Sequence, residues 1–146
     1  MRAFFSKALL PFLAGLLAVF PAEAADVEST CYTSCEAQTT SNPEYKACLS
    51  QKASAADAFL NEAYGILKSA VRRHAAEMGQ SPKYALQSLK EAQKKWIAYR
   101  DVNCTFEDQL AFGGTSIGGN HAACLCALSL ERAADFARVG RQLLSE

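Results

Sequence analysis

An excess of charge of either sign is missing from this sequence. Its 146 residues carry 15 basic and 15 acidic side chains. Arg72-Arg73 is too short a basic run to hold a polyanion, so nucleic-acid binding, which needs a basic patch or stripe, is excluded. Histidine is scarce, with only His74 and His121. No H-E-x-x-H, G-x-S-x-G or phosphate-loop pattern occurs. Acidic residues are plentiful, but nothing isolates a pair for general acid and base work. The spacings Cys31-x-x-x-Cys35 and Cys124-x-Cys126 are not the C-x-x-C of a thiol oxidoreductase. These absences leave no catalytic residue and no cofactor to assign, and the chain reads as a non-enzyme. Period-two alternation of useful length is absent too, so no sheet is expected.

One apolar run is present, Ala8 to Phe20. It follows Arg2 and Lys7 and precedes Pro21-Ala22-Glu23-Ala24-Ala25. Positive, apolar, then small-x-small is the order of a secretory signal peptide. The run is shorter than the roughly 20 residues of a membrane span. Residues 1–24 are read as the signal peptide, with a cut after Ala25 or a retained anchor as alternatives. Residues 25–146 are read as one domain, periplasmic or secreted and free of the membrane once the leader is removed. Its net charge is about −1 with histidine neutral. All six cysteines lie in this part. An even number in a small exported domain argues for disulfides.

The remaining pattern is helical. Asp26 opens a lead-in that sets Cys31 and Cys35 one turn apart. Asn42-Pro43 then starts a first long helix, with Asn42 as N-cap and Pro43 where its missing N–H costs nothing. Leu49, Ala53, Ala56, Leu60, Ala63, Leu67 and Ala70 recur at steps of four and three, a seam facing other helices. His74 lies on the apolar side and reads as packed. Gly79 ends this helix as a left-handed cap. Ser81-Pro82 opens the second helix after a short turn, which makes the first two helices antiparallel neighbours. Leu86, Leu89, Gln93 or Ala92, Trp96, Tyr99 or Arg100 and Asn103 or Cys104 mark its inner face. Four glycines between Gly113 and Gly119 forbid a stable helix there, so an exposed loop is expected. A third helix runs from near Asn120 to about Leu144, with Leu125, Leu128, Arg132, Phe136, Val139 and Leu143 inward. The fold class is an all-α antiparallel three-helix bundle with a helical lead-in, stapled by disulfides.

This topology gathers the start of the first helix, the end of the second and the start of the third at one pole. Cys48, Cys104, Cys124 and Cys126 meet there, with Cys31 and Cys35 folded over them. Cys104–Cys124, tying the base of the glycine loop, is the preferred single pair. Cys31, Cys35, Cys48 and Cys126 share two further bridges in an order that spacing leaves open.

Cys48, Leu60-Asn61-x-x-Tyr64-x-x-Leu67, Ala92-Gln93-x-x-Trp96-x-x-Tyr99-Arg100-Asp101-x-x-Cys104, Gly113-Gly114, Cys124-Leu125 and Ser129-x-x-Arg132 together resemble the LprI-like lysozyme-inhibitor family over roughly residues 45–136. The chain departs from that pattern in Ser129, where threonine is common, in the added Cys126, and in having no lipid-attachment cysteine at the cut. The resemblance implies a helical, disulfide-bonded envelope protein, with lysozyme or another envelope protein as partner.

Two groups of residues follow as candidates. Trp96, Tyr99, Arg100, Asp101 and Arg132 are read as structural: a packed tryptophan beside an ion pair, with Arg100 and Asp101 fixing how the second helix ends. The partner-binding candidates are the loop residues Gly113, Gly114, Thr115, Ser116, Asn120 and His121, with Glu107 and Asp108 on the approach. By analogy with lysozyme inhibitors of other folds, such a loop would enter the sugar-binding cleft, and the two acids would attract a cationic enzyme. The alternative function is a structural or stress-related envelope module. His121 with Cys124 and Cys126 suggests a soft-metal handler as a third reading. Disulfides in an oxidising compartment consume those thiols, so no metal is assigned.

Overall fold

The computed structural model describes residues 31–145. The expected leader, 1–24, lies outside them. Every regular element among the described residues is helical: a lead-in over 31–36, then α1 (Asn42–Glu77), α2 (Lys83–Gln109) and α3 (Gly119–Ser145). The protein is all-α. No helix of the described residues is long and apolar enough to cross a membrane.

Local chemistry explains the helix ends. The cap of α1 is Ser41, one residue before the expected Asn42. Ser41 has extended backbone, and its Oγ accepts the Glu44 N–H at 3.5 Å. In return Glu44 Oε2 accepts from the Thr40 N–H and hydroxyl, both at 3.1 Å. This is a capping box whose reciprocal bond falls one residue early. The Thr40 N–H foremost, then the Thr40 hydroxyl, holds the Glu44 carboxyl below its ordinary range. At the other end Gly79 has φ +65°. The Gln80 N–H donates to the Ala75 carbonyl at 2.7 Å and the Gly79 N–H to Ala76 at 3.1 Å, which completes a Schellman stop. The Ser81 hydroxyl accepts the Lys83 N–H at 3.4 Å at the start of α2.

Packing departs from the expected neighbours in two ways. The dominant interface joins α1 and α3, and α1 scarcely meets α2. Leu49, at the start of α1, packs with Ala122 and Ala123 at the start of α3. Leu60 and Leu67, further along α1, pack with Ala133 and Phe136. These two helices therefore run parallel, and α2 returns antiparallel to them, mainly against α3. A short turn fixes where α2 begins; the apolar area on offer decides what it lies against. Only Gln93 and Cys104 of α2 are fully buried, whereas α1 buries Leu49, Ala56, Leu60, Ala63, Leu67 and Ala70. That is the predicted α1 seam, with Ala53 at its edge.

The second departure concerns α3. Its deepest face is Ala122, Cys126, Ser129, Ala133, Phe136 and Gly140. The expected Leu125, Leu128, Val139 and Leu143 are only half-buried and flank it, as does Arg132. Small side chains let α1 and α3 approach closely, and the leucines close the sides of that contact.

Three disulfides staple the pole: Cys31–Cys126, Cys35–Cys48 and Cys104–Cys124. All six cysteines are paired. Two of the bridges hang the lead-in on α1 and α3. The third ties the end of α2 to the start of α3.

Candidate functional site

Two constellations flank this pole. The first is built around Arg100. From the middle of α2 its Nη1 donates to Asp57 Oδ1 of α1 at 2.8 Å and to Ser129 Oγ of α3 at 3.0 Å. Its Nε and Nη2 hold Asp101 Oδ1 at 3.0 and 2.9 Å. Burial pulls the guanidinium pKa down, but the bonds to Asp57 and Asp101 outweigh it and leave the pKa raised. Trp96 lies half-buried beside two guanidinium groups, with Arg100 5.4 Å and Arg132 5.7 Å from its ring centre. Arg132 also stands 4.6 Å from the Phe136 ring centre and donates to Gln93 Oε1 at 3.3 Å.

Arg100 thus fastens α2 to both other helices, and it does so well before the end of α2. The expectation that Arg100 and Asp101 set that end is corrected: Leu110 closes the helix through backbone bonds to Glu107 and Asp108. Tyr99, expected beside Trp96, is 59% exposed. The packed face takes the neighbouring Arg100 because one residue turns about 100° around a helix.

Arg100→Ala removes a nearly buried charge that orders three acceptors. Asp57 and Asp101 are about half exposed, at 49% and 54%, so solvent screens part of the loss. The expected cost is about 2 kcal/mol, read from the urea midpoint. Arg100→Lys should recover little of it, since one ammonium cannot reproduce the planar fork. An unchanged midpoint in the alanine variant would refute the tie.

The second constellation is the glycine loop between α2 and α3. Residues 110–118 form a chain of turns, closed by Gly114 N–H to the Ala111 carbonyl at 2.8 Å and Gly119 N–H to Ser116 at 3.0 Å. Three braces hold it. Asn42, released from capping, donates its Nδ2 to the Thr115 carbonyl at 3.1 Å. Asp108 Oδ1 accepts the Gly118 N–H at 2.7 Å and the His121 N–H at 3.1 Å, so this carboxylate caps α3 from α2. Cys104–Cys124 closes the base. Gly119 sits against α1, where an added Cβ would stand 3.6 Å from Leu49 Cδ1.

The expected partner residues divide accordingly. Gly113, Gly114, Thr115 and Ser116 are exposed, as is Glu107. Asn120 and His121 are half-buried in the first turn of α3. Glu107 Oε1 accepts from Asn103 Nδ2 at 2.7 Å. Asp108 has its Oδ1 engaged in capping and is less free to meet a partner than Glu107. Thr115, Ser116 and Asn120 line one wall of a small open cleft, with Asn42 and Tyr45 of α1 opposite. Burial chiefly, and Glu36 secondarily, raises the Tyr45 pKa, so its hydroxyl stays protonated.

Sequence reasoning overlooked Phe112. It is 88% exposed and is the one non-glycine residue with positive φ, +45°, among the described residues. Gly113 follows at φ +86°. A bulky residue in this region is a backbone outlier. The signal available beforehand was an aromatic residue directly before Gly113-Gly114. Chemically the loop offers an aromatic ring, open backbone and hydroxyls. Among the described residues no group of three or more His, Cys, Asp or Glu side chains is gathered as a metal site.

The family described as lysozyme inhibitor LprI matches residues 28–136. An uncharacterized protein of Rhizobium meliloti (strain 1021) is 33% identical over 134 residues, covering 89% of this chain and 93% of its own length. No solved structure matches the chain.

Proposed function

The chain belongs to the LprI lysozyme-inhibitor family, and on that premise we propose that it is an exported binding protein that inhibits lysozyme by occluding the substrate cleft. The observation that carries this reading is the braced loop that holds Phe112, Gly113 and Gly114 out to solvent beside a disulfide-tied pole. A loop ordered before binding loses less conformational entropy on docking than a floppy one. Phe112 supplies an apolar ring suited to the sugar-stacking surface of such a cleft. Thr115 and Ser116 supply hydrogen-bonding groups, and Glu107 favours encounter with a cationic enzyme. Three disulfides fit the periplasm or the exterior.

Turbidity clearing of a cell-wall suspension by lysozyme, with the oxidised mature protein added, tests the activity. Clearing is expected to slow in proportion to added protein. Gly113→Val with Gly114→Val should abolish the effect while far-UV circular dichroism is unchanged. Gly113 needs its positive φ, and a Cβ at Gly114 would stand 3.0 Å from the Ala111 carbonyl, so the pair reshapes the loop alone. Inhibition that survives the double variant excludes this loop. Wild-type protein without any effect excludes the inhibitor reading and favours an envelope interaction module.

A further inference from the structure

Among the described residues, one seam of α2 is left without a partner. Ala92, Lys95, Tyr99, Val102, Phe106 and Leu110 follow one another at steps of three or four, and all are exposed. Val102 is 72% exposed, Phe106 58% and Leu110 52%. This is the spacing by which helices pair, displaced around α2 from the packed face of Leu89, Gln93, Trp96 and Arg100. A contiguous apolar stripe on a small domain marks an interaction surface.

The charges on α2 select the occupant. Lys83, Lys90, Lys94 and Lys95 stand in its first half, against the single acid Glu91. Asp101, Glu107 and Asp108 stand in its second half, where Arg100 is already paired with Asp57 and Asp101. A second α2 laid parallel would set lysines on lysines. Laid antiparallel with Val102 against Val102, it sets Lys95 of each copy within a turn of Glu107 of the other.

We propose that the seam is a homodimer interface, with two copies of α2 packed antiparallel about a two-fold axis near Val102. Tyr99 of one copy then faces Phe106 of the other. The interface is isologous, so each residue counts twice. The pairing sends the two glycine loops to opposite ends, each level with the first half of the other copy's α2, and its test, self-association, is read separately from lysozyme inhibition.

Sedimentation equilibrium of the oxidised mature protein tests it. Wild type is expected to dimerise. Val102→Glu alone and Val102→Lys alone place like charges together at the axis, and each should weaken the dimer at least ~100-fold. An equimolar mixture of the two should recover a one-to-one heterodimer, because opposite charges then meet. Phe106→Ala should weaken pairing without adding charge. Val102 and Phe106 are exposed, and unchanged circular dichroism verifies folding. A wild type that stays monomeric at millimolar concentration overturns the proposal. So does a Val102→Glu variant that dimerises like wild type, or a mixture that stays monomeric.

Discussion

Removing the Cys31–Cys126 bridge by Cys31→Ser with Cys126→Ser is expected to lower stability by about 4.5 kcal/mol and the melting temperature by roughly 15–20 °C. The bridge joins residues 95 apart in sequence. A cross-link of that span removes more freedom from the unfolded chain than a short one. It is also buried, with Cys31 at 0% and Cys126 at 2% exposure beside Ala56. The serine hydroxyls would meet an apolar contact between the lead-in and the α1–α3 interface. The same comparison ranks the other bridges. Cys104–Cys124 spans 20 residues and Cys35–Cys48 spans 13. Loop closure assigns these about 3 kcal/mol each. Thermal unfolding of the three double-serine proteins, followed by circular dichroism, checks the order. If loss of Cys35–Cys48 proves the most damaging, loop closure is not what these bridges supply.

Phe136→Ala should cost about 4 kcal/mol. Phe136 is the one large side chain on the deeply buried face of α3, at 3% exposure among alanines, Ser129 and Gly140. It fills the space between Leu60 and Leu67 of α1 and meets the Tyr64 ring at 5.7 Å. Its ring also carries the Arg132 guanidinium, which in turn stacks on Trp96. Truncation therefore opens a cavity in the α1–α3 contact and loosens the link to α2. Phe59→Ala, at a 51% exposed position on α1, provides the contrast and should cost less than about 1 kcal/mol. Urea unfolding of both variants measures the difference. Equal midpoints would show that α3 does not depend on its single large anchor.

The two expected effects share a cause. Small residues bring α1 and α3 together over most of their length, leaving little apolar area per residue. One aromatic ring and three covalent ties then carry much of the stability. The same economy leaves α2 held by the packing of Leu89 and Trp96, the Cys104–Cys124 bridge and polar contacts through Gln93, Arg100 and Arg132. Its apolar seam is left outside.

Features that depend on residues close in sequence were legible beforehand. Proline and serine or asparagine at two helix starts, Gly79 at a helix end, and the three-four recurrence of Leu and Ala on α1 are local properties. They gave three helices, with both ends of α1 and α3 and the start of α2 correct to within a residue or two, the end of α2 left open between Cys104 and Phe112, and an α1 seam that the structure buries. The Cys104–Cys124 pair and the exposed glycine loop followed from helix direction and glycine content. What needed the tertiary structure is everything set through space. Spacing does not tell whether α2 lies on α1 or α3, because either offers an apolar stripe. It does not choose between Tyr99 and Arg100, which flank the same face. It does not reveal that Asp108 of α2 caps α3, or that Asn42 holds Thr115 across 73 residues of chain. Those choices were made by which small faces could come close and which charges could be satisfied once they had.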